Sequence, residues 1–232
     1  MRNRLFAFGL FASLAAACGG SQTTAEPAPA PVVEEEVVEE ASLLFVDAAT
    51  TAAVNISSGE LVLAEGLETG QWTTERSTVP AGDHTLTFAA ASGDTLATSD
   101  VALEVDGAYT VVFAGLGDSR IRAQMPQAIV VTDDLAAPGD GEARLRFVHA
   151  VPGDTSLSFG DGSGRGYAAG MQYTGVSAWY DLVPGNDTVE ISAGGEAVAT
   201  IAVPLAAGRL FTVVVAPDGD GVRGIVINEV AP

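Results

Sequence analysis

Residues 144–150 read RLRFVHA and residues 42–48 read SLLFVDA, so one pattern occurs twice at an offset of 102 positions. Further along the chain, residues 109–114 (YTVVFA) match residues 211–216 (FTVVVA) at the same offset. Near-constant spacings, with small slips in the loops, are what the duplication of a domain produces. The sequence therefore predicts two copies of one module.

The side chains of the first strand alternate between two faces, and Leu43 and Phe45 of the first copy correspond to Leu145 and Phe147 of the second. In the second copy, Leu145 and Phe147 point to one side, whereas Arg144 and Arg146 point to the other. A period of two is typical of a strand that is buried on one face and wet on the other. The arginines are therefore expected on a side that faces solvent.

Other segments complete an all-β pattern. Residues 109–113 and 211–215 are apolar on both faces and are predicted to be central strands. A Val-Pro turn at 79–83 (VPAGD), repeated at 183–187 (VPGND), marks a tight reversal before the next strand. The expected fold class is all-β, with two tandem immunoglobulin-like or related β-sandwich domains.

The chain is expected to have five segments. These are a signal peptide over residues 1–17, a Pro/Glu-rich tether over 18–40, a first sandwich over 41–135, a linker over 136–142 and a second sandwich over 143–232. The linker is short, which restricts motion between the sandwiches.

The N-terminus has the pattern of a lipoprotein signal. Two arginines precede an apolar run over residues 5–17 that is too short to span a bilayer as a helix. LAAAC at 14–18 resembles the bacterial lipobox, so Cys18 is predicted to carry the lipid that anchors the chain to a membrane. An ordinary secretory signal is the alternative. Cys18 is the only cysteine, so the folded part has no disulfide.

The predicted tether and the charge of the chain limit its location and partners. Prolines and a glutamate run favour an extended tether that reaches up to about 70 Å. Gly19 replaces the aspartate that retains lipoproteins at the inner membrane in Gram-negative sorting, so the expected location is the bacterial cell envelope, with the outer membrane favoured. The net charge is −20, and all 10 basic residues are arginine. Nucleic acid is therefore not an expected partner.

Three phrases of the second copy resemble a known family. RLRFVHAVPGD at 144–154, YDLVPG at 180–185 and FTVVV at 211–215 are similar to the bacterial "domain of unknown function 4397" family. The first copy departs from that pattern, with Asp47 in place of the histidine. The resemblance implies tandem secreted or cell-surface β-sandwich domains, and it implies no activity because the family has none assigned.

The polar motifs are each compatible with structural roles. His149 is expected to be hydrogen-bonded at the sandwich edge, and two histidines, His84 and His149, do not make a zinc site. The glycine-rich segments 160–166 and 218–221 are expected to be hairpin turns rather than phosphate or calcium loops. A calcium site formed by Asp133, Asp134 and Asp140 at the domain junction stays open as an alternative.

No catalytic signature is present: there is no serine in a strand–turn–helix elbow and no free cysteine after lipidation. Trp72, Trp179 and Tyr180 are the best candidates for an aromatic platform. The two tryptophans fall in corresponding parts of the copies, which favours a structural role. No catalytic, cofactor-binding or metal-binding residue is therefore expected.

The expected function is that of a non-catalytic, lipid-anchored envelope protein. It would present two β-sandwich domains for interaction with a protein or glycan, or for structural spacing. The alternatives are a hydrolase of envelope polymers, since sandwiches can carry carboxylate pairs that spacing does not reveal, and an adhesive module stiffened by calcium. The expected partners are a membrane, through the lipid, and an unknown protein or glycan.

Overall fold

The computed structural model describes residues 38–231 of the chain, so the predicted signal peptide, Cys18 and the tether up to residue 37 lie outside the described residues. The described part contains sixteen strands, eight in each copy, and one turn of 3₁₀ helix at Arg122–Gln124. The predicted all-β class with two sandwiches is confirmed.

Each copy folds into two four-stranded sheets. The strands of the first copy are β1 (Glu40–Asp47), β2 (Val54–Ser58), β3 (Leu61–Leu67), β4 (Ser77–Pro80), β5 (Gly82–Ala90), β6 (Thr95–Leu103), β7 (Ala108–Ala114) and β8 (Gln127–Thr132). Those of the second are β9 (Ala143–His149), β10 (Leu157–Gly160), β11 (Gly166–Met171), β12 (Tyr180–Leu182), β13 (Gly185–Ala193), β14 (Glu196–Leu205), β15 (Arg209–Asp218) and β16 (Gly221–Val230). The sheet orders are β4-β1-β7-β8 with β3-β2-β5-β6, and β12-β9-β15-β16 with β11-β10-β13-β14.

The two apolar strands β7 and β15 are central, as predicted. β7 pairs in parallel with β1 and antiparallel with β8, and β15 does the same with β9 and β16. Phe45 lies opposite Val111, and Phe147 lies opposite Val213. The two copies therefore share one topology and one register.

Each sandwich has an apolar core between its two sheets. In the first core the rings of Phe88 and Phe113 stack with centroids 4.7 Å apart, and in the second Phe147 and Phe159 stack at 4.5 Å. Such a pair contributes about 0.5–1.5 kcal/mol beyond the burial of its area. The inward positions predicted from alternation are thus the core positions.

The opposite face of the first strands is buried, and the prediction of a wet face is wrong. Leu44 and Val46 of β1 and Val148 of β9 are at most 1% exposed, and they belong to an apolar cluster that the two sandwiches share. Arg146 on this face is 2% exposed. Alternation shows that two faces differ in polarity, but it does not show what covers the more polar one.

Candidate functional site

A charged cluster lies in the contact between the two sandwiches. Arg76, just before β4, donates from Nη2 to Asp133 Oδ2 at 2.6 Å and from Nε to Glu229 Oε1 at 2.8 Å. Asp133 follows β8 and Glu229 is on β16, so Arg76 joins an acid of each sandwich. Arg146 of β9 donates to the other oxygen of Asp133, Oδ1. We name these four residues the interface ion cluster.

Hydroxyl groups and burial hold this cluster in one geometry. Thr110 Oγ1 donates to Asp133 Oδ2 at 2.8 Å, and Arg146 Nε donates to Thr212 Oγ1 at 2.9 Å. The side chains of Asp133 and Arg146 are 0% and 3% exposed. Burial by itself would lower the pKa of Arg76, but its bonds to the two acids outweigh that effect and raise the pKa. Arg76 therefore stays charged.

The cluster is built from equivalent positions of the two copies. The strand registers make Asp133 equivalent to Glu229, and Thr110 equivalent to Thr212. Arg76 directly precedes β4, and the residue that directly precedes β12 is Trp179. The two sandwiches therefore meet through the same surface of each, as the subunits of a two-fold symmetric dimer do.

The two tryptophans are not equivalent, so that interpretation of the sequence is wrong. Trp72 forms an isolated bridge with Val46 of β1, and the matching bridge in the second copy joins Val176 to Val148. Trp72 packs against the apolar cluster between the sandwiches. Because the loops of the two copies differ in length, Trp72 and Trp179 lie at similar positions in the sequence but at different positions in the two sandwiches.

The aromatic candidates are covered by neighbouring side chains. The guanidinium carbons of Arg144 and Arg146 lie 5.1 and 4.5 Å from the centroid of the Trp179 ring. Tyr180 donates its hydroxyl to the carbonyl oxygen of Tyr167 at 2.6 Å. These contacts support the structural role expected for the rings over a role as a binding platform.

Two of the three candidate calcium ligands are engaged with arginines. Both oxygens of Asp133 belong to the interface ion cluster, and Asp134 Oδ2 accepts from Arg144 Nη1 at 3.2 Å. The bond from the Ala136 amide to Asp134 is the main cause that lowers the pKa of Asp134. Within residues 38–231, no three His, Cys, Asp or Glu side chains are grouped as metal ligands. Calcium at Asp133 would have to displace two guanidinium groups.

Both histidines are hydrogen-bonded within their own copies. His149 Nε2 lies 3.0 Å from the Thr155 carbonyl oxygen, and its Nδ1 accepts from the Val151 amide at 3.2 Å. Burial lowers the pKa of His149, which keeps the ring neutral at pH 7. His84 Nδ1 lies 2.9 Å from Ser58 Oγ. This geometry agrees with the structural role expected for His149.

Both glycine-rich segments connect the strands of hairpins, as predicted. Residues 160–166 join β10 to β11, and Asp161 Oδ1 accepts from the amides of Ser163 and Arg165. Residues 218–221 join β15 to β16 by a two-residue turn. The amides of Ser163 and Arg165 are therefore used by the aspartate of the same segment and are not free to bind a phosphate.

Two concavities lie on outward-facing strands. One of about 510 Å³ beside residues 160–166 has a single carboxylate, Glu190, and two aromatic residues, Phe159 and Tyr167. The other, of about 460 Å³ on β5 and β6, has two carboxylates, Asp83 and Asp100, and no aromatic residue. Glycosidases act through two carboxyl groups that flank the scissile bond. Neither concavity combines a carboxylate pair with an aromatic wall.

The sequence interpretation missed two members of the interface ion cluster, Arg76 and Glu229. They are 153 residues apart in the chain, and Arg76 is 57 residues from Asp133. No motif or periodicity marks a contact over such separations. The one site that the sequence did predict, lipidation at Cys18, lies outside the described residues. Over residues 38–231, no helix has the length and apolar character that a membrane crossing requires.

Two solved structures that resemble the chain do so distantly, and no curated protein matches it. "The Bacillus anthracis TIE protein" is 12% identical, with a TM-score of 0.24, and the match covers 77% of this chain and 34% of that one. The chain thus spans about a third of the length of that protein. A "putative cell adhesion protein" from Bacteroides uniformis is 12% identical, with a TM-score of 0.27 and coverage of 84% and 98%. Neither likeness is close enough to argue from.

A family comparison is more informative. The family model described as "Domain of unknown function (DUF4397)" matches residues 41–160, which runs through the first sandwich and into the second as far as the end of β10. This match covers more than half of the chain. The chain therefore belongs to the DUF4397 family.

Proposed function

We propose that the chain is a lipid-anchored, non-catalytic protein of the bacterial cell envelope whose two sandwiches present fixed outer surfaces to a protein or glycan. The observation that carries this proposal is the contact between the sandwiches. Its apolar cluster and its interface ion cluster bury the central strands of the facing sheet of each module, β1 and β7 in the first and β9 and β15 in the second. A partner that binds a preorganised surface loses less conformational entropy than one that binds a mobile pair of domains.

The second sandwich is proposed to be a second domain of the same family. Its strand order repeats that of the first sandwich, and its first strand has the same parallel register with the central strand. The family match ends at residue 160, so the topology and the repeated phrases carry this part of the proposal.

The charge of the outer surface defines the chemistry of the partner. Three of the eight arginines in residues 38–231 form ion pairs with acids of the chain itself, namely Arg76, Arg144 and Arg146. Carboxylates therefore dominate what is left for a partner to meet. We expect a partner that is neutral, such as an uncharged glycan, or basic, such as a cationic protein surface.

Labelling with palmitate tests the anchor. Cells that express the wild-type chain and receive labelled palmitate are expected to yield a labelled, membrane-bound protein, because Cys18 provides the thiol for the diacylglycerol. Cys18→Ala is expected to be unlabelled. Ser21→Ala, three residues further on, is the matched control and is expected to be labelled. An unlabelled wild type, or label retained in Cys18→Ala, would contradict the anchor.

A capture experiment that also detects cleaved products tests whether the two sandwiches bind a partner without acting on it as an enzyme. The purified chain, immobilised on beads, is incubated with solubilised envelope fractions, with the heat-unfolded chain as the control. The folded chain alone is expected to retain a protein or glycan whose mass is unchanged on elution. Release of shortened glycans or peptides into the supernatant would show turnover and overturn the non-catalytic part of the proposal.

A further inference from the structure

Asp47, the last residue of β1, is a buried acid with one unsatisfied oxygen. Its residue surface is 0% exposed. Its Oδ1 accepts from the Ala49 amide at 3.0 Å, and its main chain bonds to Gly70 and Gln71. Its Oδ2 has no hydrogen-bond partner among the described residues. A buried polar atom without a partner is uncommon in folded proteins and requires a physical explanation.

Two further unsatisfied polar atoms belong to the same region. Thr51 Oγ1, four residues after Asp47, and Arg223 Nε, on β16 of the second sandwich, are also buried without a partner in the described part of the chain. A Cβ at Gly70 would lie 3.0 Å from Nη1 of Arg223, so this arginine crosses to the first sandwich there. The carbonyl oxygen of Thr51 accepts from Thr69, next to Gly70. The segments 47–51 and 68–72 thus enclose the site.

The equivalent position in the second sandwich is fully satisfied. His149 ends β9 as Asp47 ends β1, and both ring nitrogens of His149 are hydrogen-bonded. Its ring meets Tyr173 edge-on, with centroids 6.4 Å apart, and the hydroxyl of Tyr173 accepts from Gln127 at 3.0 Å. The incomplete bonding is therefore specific to the aspartate of the first sandwich and is not a property of the fold.

One positive charge faces Asp47. The charged or titratable side chains on the elements around it are Glu40 on β1, Glu65 on β3, Tyr109 on β7, Glu68 on the segment 68–72, Asp118, Arg120 and Arg122 on the segment after β7, and Arg223 and Glu229 on β16. Of these, Arg223 is the group whose charge acts on Asp47. Burial raises the pKa of Asp47 to about 7, and the Ala49 amide and Arg223 offset this only in part.

We propose that the Asp47 carboxyl is a proton-binding site that controls whether the segments 48–53 and 68–72 close over the end of the first sandwich. The neutral acid is tolerated in the closed site, whereas the ionised acid lacks a direct counter-ion there. Opening the segments lets water reach the carboxylate. Because the closed state binds the proton more tightly, closure is complete in mild acid and weakens as the pH rises towards neutrality.

Hydrogen exchange measured by mass spectrometry on the purified full chain tests this device. Peptides that cover 48–53 and 68–72 are compared between wild type and Asp47→Asn at pH 5, 6, 7 and 8, so that the intrinsic effect of pH on exchange cancels. The opening equilibrium constant of wild type, divided by that of the variant, is expected to rise about tenfold per pH unit from pH 5 to 7 and to level off above pH 7. Asp134→Asn, which changes an exposed aspartate, is expected to behave as wild type.

A second variant keeps the test decisive if Asp47→Asn does not fold. Arg223→Gln removes the positive charge, so its opening equilibrium, measured relative to that of Arg209→Gln to cancel the intrinsic effect of pH, is expected to keep rising above pH 7, where wild type levels off. Arg209→Gln, at the start of β15, is the matched control and is expected to leave the plateau in place. A wild-type ratio that stays constant from pH 5 to 8, or a plateau that does not move in Arg223→Gln, would overturn the proposal.

Discussion

Removing the carboxylate of Asp133 is expected to destabilise the protein more than removing the arginine that pairs with it. In Asp133→Ala, Arg76 keeps its two bonds to Glu229. Arg146 keeps the hydroxyls of Thr110 and Thr212 and the ring of Trp179, but it has no carboxylate left. A buried charge that loses its counter-ion costs about 3–5 kcal/mol of the free energy of unfolding.

Arg146→Leu is the opposite perturbation and is expected to be milder. Asp133 keeps Arg76 and Thr110 as partners, and Leu44 already occupies the equivalent position in the first sandwich. The free energy of unfolding is then expected to fall by the contribution of one hydrogen bond to a charged group, about 1.5–3 kcal/mol. The double variant has no orphaned arginine, so we expect it to be more stable than Asp133→Ala alone by about 0.5–3 kcal/mol.

Urea unfolding at pH 7, followed by tryptophan fluorescence, measures these differences. Asp134→Ala is the control, because its carboxylate is 60% exposed and its surface ion pair contributes less than about 1 kcal/mol. The prediction is contradicted if Asp133→Ala loses no more stability than Arg146→Leu. It is also refuted if the losses of the two single variants simply add in the double variant.

Two further substitutions test the backbone of the first sandwich and the buried histidine of the second. Gly115 has φ +138°, and a Cβ there would lie 2.6 Å from Cα of Pro126, so Gly115→Ala is expected to lower the free energy of unfolding by about 1–3 kcal/mol. Gly59→Ala, where a Cβ meets nothing within 4 Å, is expected to lose less stability in the same urea unfolding experiment. Burial lowers the pKa of His149, so its contribution to stability is present above the ordinary pKa of 6.5 and is lost as the pH falls through the lowered value. His149→Gln should therefore lose less stability than wild type between pH 7 and pH 4.5 in urea unfolding, and parallel losses would contradict this.

Local sequence patterns are sufficient to predict the fold class, the repeated strand order and the inward positions. Alternation places Phe45 and Phe147 in the two cores because side chains on a strand point to opposite faces with a period of two. The hairpin at 218–221 was also predictable, since glycine at 219 adopts a positive φ of 55° without strain. These are local properties, and a few neighbouring residues encode each of them.

What covers the second face of each first strand depends on contacts between residues that are far apart in the chain. The sequence pattern predicts that Arg146 faces solvent, yet the first sandwich buries it. Arg146 pairs with Asp133, and Asp133 also pairs with Arg76, which lies in a distant part of the chain. A polarity pattern reports that one face of a strand is more polar, but the same pattern arises whether water or an ion pair satisfies those groups. The distinction depends on long-range packing, which no local segment of the chain specifies.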